Sequence, residues 1–195
     1  MRMGHVEDDQ LSMDLGVTAE QSAWGVWADP DRRKAQVRKL LVRAELPAVL
    51  PAEPWDFESD EAAQLSDTVA ELFPDLDAVS RPENADTADQ LVCLIGELFV
   101  QYLDARWLDL TGMPSGYNDC DDITIYDGIK PGIAFTFPQW TTCTADLLVW
   151  FVVENEFVNI VELVHVGFWR LHKDDVPSFA EIGTGYFSEH PPFRE

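Results

Sequence analysis

Basic residues are scarce beyond position 43. Residues 44–195 hold six of them against 29 acids, whereas residues 1–43 carry seven of each, so the whole net charge of −23 belongs to the last three quarters of the chain. A surface this negative repels nucleic-acid phosphates and anionic lipid and favours a cationic partner. Cysteine is scarce as well. Cys93, Cys120 and Cys143 are odd in number, widely spaced and without a C-x-x-C pair, which excludes a disulfide framework or a zinc knuckle and fits a reduced cytosol. Long apolar runs are missing: the longest, Ala145 to Val153, is interrupted by Asp146 and falls far short of the roughly 20 residues that span a bilayer. The first residues contain no apolar core of a secretory signal. A soluble, cytoplasmic protein is expected.

Reaction signatures are also lacking. The chain has no Gly-x-Ser-x-Gly, Ser-x-x-Lys or His-Glu-x-x-His, no phosphate-binding glycine loop and no RNA-recognition motif.

What is present is a core. Hydrophobic residues make up 46% of the chain, and seven tryptophans accompany 11 phenylalanines and four tyrosines. A disordered acidic tail lacks such content, so the charge decorates a folded body. Arginine outnumbers lysine nine to four. High-GC coding or salt adaptation produces the same bias, and net charge informs association rather than fold.

Residues 1–16 lack a period and are expected to be mobile. Residues 17–195 read as a single α+β domain, with 17–46 as a possible helical-hairpin extension. Thr18 and Gln21 have capping-box spacing for a first helix ending near Ala28. Asp29-Pro30 starts a second helix, about 30–46, carrying the dense basic stretch Arg32, Arg33, Lys34, Arg38, Lys39 and Arg43. Pro47, Pro51 and Pro54 punctuate a connector pinned by Trp55 and Phe57. Ser59 caps a third helix through Phe73. Leu91, Leu94, Ile95, Leu98, Phe99 and Tyr102 repeat with helical period and predict a helix over 87–104, capped by Thr87 and Gln90.

Short strands follow at 106–110, 123–126 and 133–137, closed by Pro138, and form an antiparallel meander. Thr144 caps a helix through Val152. Residues 156–172 fit either a helix or a β-branched strand, and the helix is favoured although Gly167 weakens it. The tail from Asp174 is irregular. The fold class is therefore α+β: a helical N-terminal half followed by a small antiparallel three-stranded sheet packed against helices.

Candidate chemical clusters are incomplete. Asn118 to Asp122 lacks the glycine and distal glutamate of a calcium loop. Glu162-x-x-His165 is a single copy of a spacing that di-iron bundles use twice. His165 and His172 fall short of a zinc ligand set. Cys93 packs as a small hydrophobe. Cys143 lies near a helix N-terminus, a place that lowers a thiol pKa, but no histidine base is identifiable.

No metal, cofactor or catalytic residue is assigned, and an enzyme is not expected. The expected function is a non-catalytic acidic binding protein of the immunity or antitoxin type, engaging a basic protein partner such as a toxin domain. Its partner-binding residues are Tyr117, Asp119, Asp121 and Asp122, then Trp55, Asp56, Glu58, Asp60 and Glu61. The alternatives are a small enzyme or ligand-binding protein with a pocket lined by Trp107, Trp140 and Trp169, an acidic chaperone or adaptor for a secreted protein, and a DNA mimic. The densest acidic stretch, 53–89, follows the basic helix closely enough for the two to neutralise each other in part.

Overall fold

A computed structural model of the chain describes residues 22–113, 120, 122–135 and 142–172. Among the described residues, seven α-helices and three strands follow in the order α1 (Ala23–Trp27), α2 (Pro30–Arg43), α3 (Asp60–Leu72), α4 (Leu76–Ser80), α5 (Ala85–Tyr102), β1 (Arg106–Asp109), β2 (Pro131–Ala134), β3 (Thr142–Thr144), α6 (Ala145–Asn155) and α7 (Val158–His172). The protein is mostly helical, with a small antiparallel sheet packed against helices.

α5 is the central element. Its apolar positions Leu91, Leu94, Ile95, Leu98, Phe99 and Tyr102 are all essentially buried, and α2, α6, α7 and β1 pack around it. α2 brings Val37, Leu40 and Leu41 to this core, and α1 brings Trp27.

Local chemistry explains most helix starts. Asp29 accepts from the Arg32 amide with Pro30 in the first turn, Ser59 from Ala62, and Thr144 from Leu147, each satisfying an amide that has no partner within its helix. α1 is capped by Ser22, whose Oγ accepts from Gly25. The expected Thr18 and Gln21 cap lies outside the described residues, as do residues 1–16, Pro138, Trp140 and the tail.

The Thr87/Gln90 cap is corrected. α5 starts at Ala85, directly after a 3-10 turn at Pro82–Asn84, so Thr87 and Gln90 lie inside the helix, where they meet Arg43 and Asp86. α2 also stops earlier than expected, at Arg43 rather than at Pro47. Glu45 adopts a left-handed conformation (φ 56°) and the Leu46 amide donates back to the Leu41 carbonyl, the hydrogen-bonded reversal that ends many helices.

The sheet has the order β1-β2-β3, with Trp107 opposite Ile133 and Ile133 opposite Cys143. Its strands differ from the expected ones. Ile123 to Tyr126 is not a strand: the Ile125 amide donates to Asp146 Oδ1 and the Tyr126 hydroxyl to Asp89, so side chains rather than a ladder hold this segment. β2 begins at Pro131, a position where the absent N–H costs the sheet nothing, and β3 runs straight into α6. Residues 158–172 form a helix. At Gly167 a Cβ would lie 2.8 Å from Leu103 Cδ2, so a larger residue here would force the Leu103 side chain to shift.

Gly96 is tighter still, since a Cβ at this position would fall within the Trp107 indole. Gly96 thus lets β1 lie against α5. Gly96→Ala is expected to lower stability by about 1–3 kcal/mol through overpacking. Gly25→Ala, where the nearest atom is the Ser22 hydroxyl at 3.3 Å, should cost less. Thermal melts of the two variants check this, and equal melting temperatures would contradict the packing.

Candidate functional site

The charges of α2 and α5 form complementary stripes. On α2, Arg32, Gln36, Lys39 and Arg43 repeat at helical spacing; on α5, Asp86, Asp89, Cys93 and Glu97 do the same. The helices run in opposite directions, so Arg33 pairs with Glu97 at 2.7 Å and Lys39 with Asp86 at 3.1 Å. Asp89 is the hub. Its Oδ1 accepts from Trp27 Nε1 at 3.0 Å and from the Tyr126 hydroxyl at 2.7 Å; its Oδ2 accepts from Arg32 at 2.6 Å and from the Gln36 amide.

Four donors onto a buried carboxylate keep it satisfied without water. Burial, followed by the charge of Asp89, pushes the Tyr126 hydroxyl well above its usual range, so it remains a donor. The Gln36 amide, ahead of Lys39 and Gln90, holds Asp86 below the usual carboxylate range.

Aromatic rings close the seam. Trp27 stacks on Trp24 and meets Trp107 and Tyr126 edge-on, with centroids 5.3, 4.9 and 5.6 Å away. Arg32 lies over Trp27 and Arg33 over Trp107, while Glu97 Oε1 accepts from both Arg33 and the Trp107 indole. Half of the cations of the basic helix, Arg32, Arg33 and Lys39, are therefore paired with α5. Lys34 and Arg38 are its exposed cations outside this seam.

The acids of 53–89 have the opposite fate. Asp89 is buried, but Glu53, Asp56, Glu58, Asp60, Glu61, Asp67, Glu71, Asp75, Asp77, Glu83 and Asp86 are all exposed. Among the expected partner-binding residues, Asp56, Glu58, Asp60, Glu61 and Asp122 are exposed, while Trp55 is half-buried against the core. Tyr117, Asp119 and Asp121 lie outside the described residues. Trp107 and Trp169 belong to different aromatic clusters, Trp107 to the α2–α5 seam and Trp169 to the surroundings of His165.

The connector 47–58 is tied to α5 and α7. The Tyr102 hydroxyl and Gln101 Nε2 donate to the Pro51 carbonyl at 2.6 and 2.8 Å, and His165 Nδ1 lies 3.2 Å from the Trp55 carbonyl. A carbonyl only accepts, so Nδ1 carries the proton.

Neither buried thiol is activated. Burial pushes Cys143 up to about 12 despite its place near a helix N-terminus, and burial also drives Cys93 upward. Among the described residues, no group of three or more His, Cys, Asp or Glu side chains converges as a metal site, and no helix is long and apolar enough to cross a membrane.

Glu162 was noted in the sequence only for its spacing to His165. It is 1% exposed, and its Oε1 has no hydrogen-bond partner. Burial pushes its carboxyl upward. Nothing in the sequence distinguishes it from a surface glutamate, because α7 is buried on nearly every side.

Two outcomes follow from these geometries. Asp89→Ala strands the Arg32, Trp27 and Tyr126 donors and is expected to cost about 3–5 kcal/mol, the range for breaking a buried ion pair. Lys39→Ala, at an exposed pair, should cost about 1 kcal/mol or less. Urea titrations measure both, and similar losses would contradict the hub. For Glu162, the folded state holds its proton to higher pH than the unfolded chain does. Its contribution is therefore most favourable below the unfolded value of about 4.3 and is lost as pH rises from there through the folded value. Glu162→Gln should remove that part of the pH dependence; a wild-type and variant difference that stays constant from acid to neutral pH would contradict it.

No protein-family model, curated protein or solved structure matches this chain.

Proposed function

We propose that this chain is a non-catalytic, cytoplasmic binding protein that uses an acidic, aromatic-bearing surface to engage a basic protein, in the manner of an immunity protein or antitoxin inhibiting a toxin domain. One observation carries the reading. Three of the six bases in the densest basic stretch, Arg32, Arg33 and Lys39, are paired with Asp89, Glu97 and Asp86, while the acids of 53–83 are exposed, and no lysine or arginine occurs from residue 44 to residue 80. Such a field steers a cationic partner and repels nucleic acid and anionic membrane.

Around Trp55 and Phe57, the exposed Asp56, Glu58, Asp60 and Glu61 combine long-range attraction with rings suited to anchoring an interface. Asp122 belongs to the same reading, as do Tyr117, Asp119 and Asp121 by their sequence.

Immobilised protein should retain a basic partner at low salt and release it in a salt gradient. With that partner purified, the combined Asp56→Asn, Glu58→Gln, Asp60→Asn and Glu61→Gln variant is expected to associate about 10-fold more slowly at low salt, within the range that steering supplies. Its salt dependence should be correspondingly flatter. Stopped-flow measurement of association decides this, and rates equal to wild type at all salt concentrations would sink the assignment of this surface.

A further inference from the structure

The connector between α2 and α3 has neither a ladder nor a helix to hold it, and its path is set in another way. Residues 45–59, all among the described residues, carry no helix and no strand. Connections of more than about 12–15 residues without such structure are uncommon in compact domains, and are usually either disordered or functional. Pro47, Pro51 and Pro54 have no amide to donate and stiffen the backbone where they stand.

Side chains from two distant helices supply the missing donors. From α5, the Tyr102 hydroxyl and Gln101 Nε2 both donate to the Pro51 carbonyl, at 2.6 and 2.8 Å. From α7, His165 Nδ1 lies 3.2 Å from the Trp55 carbonyl, and its ring meets Phe57 edge-on at 6.0 Å. These donors stand 50 to 110 positions away along the chain, so they clasp the connector through tertiary structure rather than through turn chemistry. Beyond the clasps the chain closes on itself: the Glu58 amide donates to Asp56 Oδ1 and the Ser59 amide to the Asp56 carbonyl, at 2.9 and 3.0 Å. Leu50, Trp55 and Phe57 pack against the core, while Asp56, Glu58, Asp60 and Glu61 are exposed.

We propose that the connector is a preset recognition loop, with Tyr102, Gln101 and His165 as its positioning residues. They fix the backbone that carries the exposed acids before a partner arrives. The inference rests on the reading of a basic protein partner and names how the free protein prepares that surface. Two physical reasons favour it. A loop that must be ordered on binding subtracts that ordering from the affinity, whereas a loop already on its bound path does not. Charge steering acts at long range and needs no fixed path, so clasps on two carbonyls add nothing to the attraction. What they add is geometry at close contact.

Backbone amide relaxation, measured on isotope-labelled, full-length protein without a partner, tests the loop. The amides of Ala52, Glu53 and Trp55 to Glu58 are expected to show order parameters of about 0.85, as in a rigid helix, and not the values below about 0.6 of a flexible segment. Tyr102→Phe combined with His165→Phe removes two donors and keeps both rings. In that variant the connector amides should fall toward the flexible range while those of α5 and α6 hold. His165→Asn in the Tyr102→Phe background returns an N–H donor near the place of Nδ1 and should restore order at Trp55 to Glu58. Toward the basic protein retained on the immobilised chain, the double Phe variant should bind about 10-fold more weakly, the scale of ordering one loop residue. Its association should keep the wild-type salt dependence, because no carboxylate is changed.

Order parameters below about 0.6 at these amides in the free wild type overturn the preset loop, and this measurement needs no variant. So does a double Phe variant whose connector stays as ordered as the wild type, or one whose connector loosens while its affinity is unchanged. A rigid connector that the double variant loosens, on a chain that retains no basic protein, leaves the clasps and removes the partner reading. Retention of a basic protein by a chain whose free connector is flexible does the reverse.

Discussion

A single buried carboxylate decides how this molecule is arranged. Asp89 takes hydrogen bonds from Trp27, Arg32, Gln36 and Tyr126, donors drawn from α1, α2 and the segment that precedes β2. Ionised and buried, it is tolerable only because every one of these groups points at it. In return it fixes the rotation of α2 on α5, the placement of the Trp27 ring and the path of residues 123–126. The Arg33–Glu97–Trp107 contacts extend the same logic along the seam to β1.

This internal use of charge sets the character of the surface. A chain with seven bases in its first 43 residues invites a bipolar reading, with a basic arm offered to one partner and an acidic body to another. Folding weakens that division. Arg32, Arg33 and Lys39 of α2 meet α5, Lys34 and Arg38 stay exposed, and the acids of the connector and α3 are exposed. Desolvation opposes burying such charges, and the seam tolerates it because each buried group finds hydrogen-bond partners in a fixed geometry, while exposed pairs gain little in water.

Much of the architecture was legible in the sequence. The Asp29-Pro30, Ser59 and Thr144 starts follow from capping chemistry that acts within four residues, and the α5 stripe follows from a period repeated over three turns. The strands were read less well. Ile123 to Tyr126 has strand-like residues but is held by Asp146 and Asp89, partners 21 and 37 positions away. No local pattern encodes such contacts. α4 was missed because five residues give too little period to register.

The seam was partly legible: the closeness of the acidic stretch 53–89 to the basic helix predicted partial neutralisation, and of that stretch only Asp86 and Asp89 supply it. Tyr126 and Glu97 were not foreseen as members. Glu162 could not be distinguished in sequence, because the difference between a solvated and an orphaned carboxyl lies entirely in what surrounds α7.

The most direct test of the account is a double-mutant cycle between Arg32 and Asp89, using Arg32→Gln, Asp89→Asn and the pair, with stability measured by urea unfolding. A buried, hydrogen-bonded hub predicts a coupling energy of about 1.5–3 kcal/mol, within the range found for residues in one network. Additive losses, with coupling near zero, would mean that Asp89 does not hold α2 in place and that the basic helix is not committed to the interior.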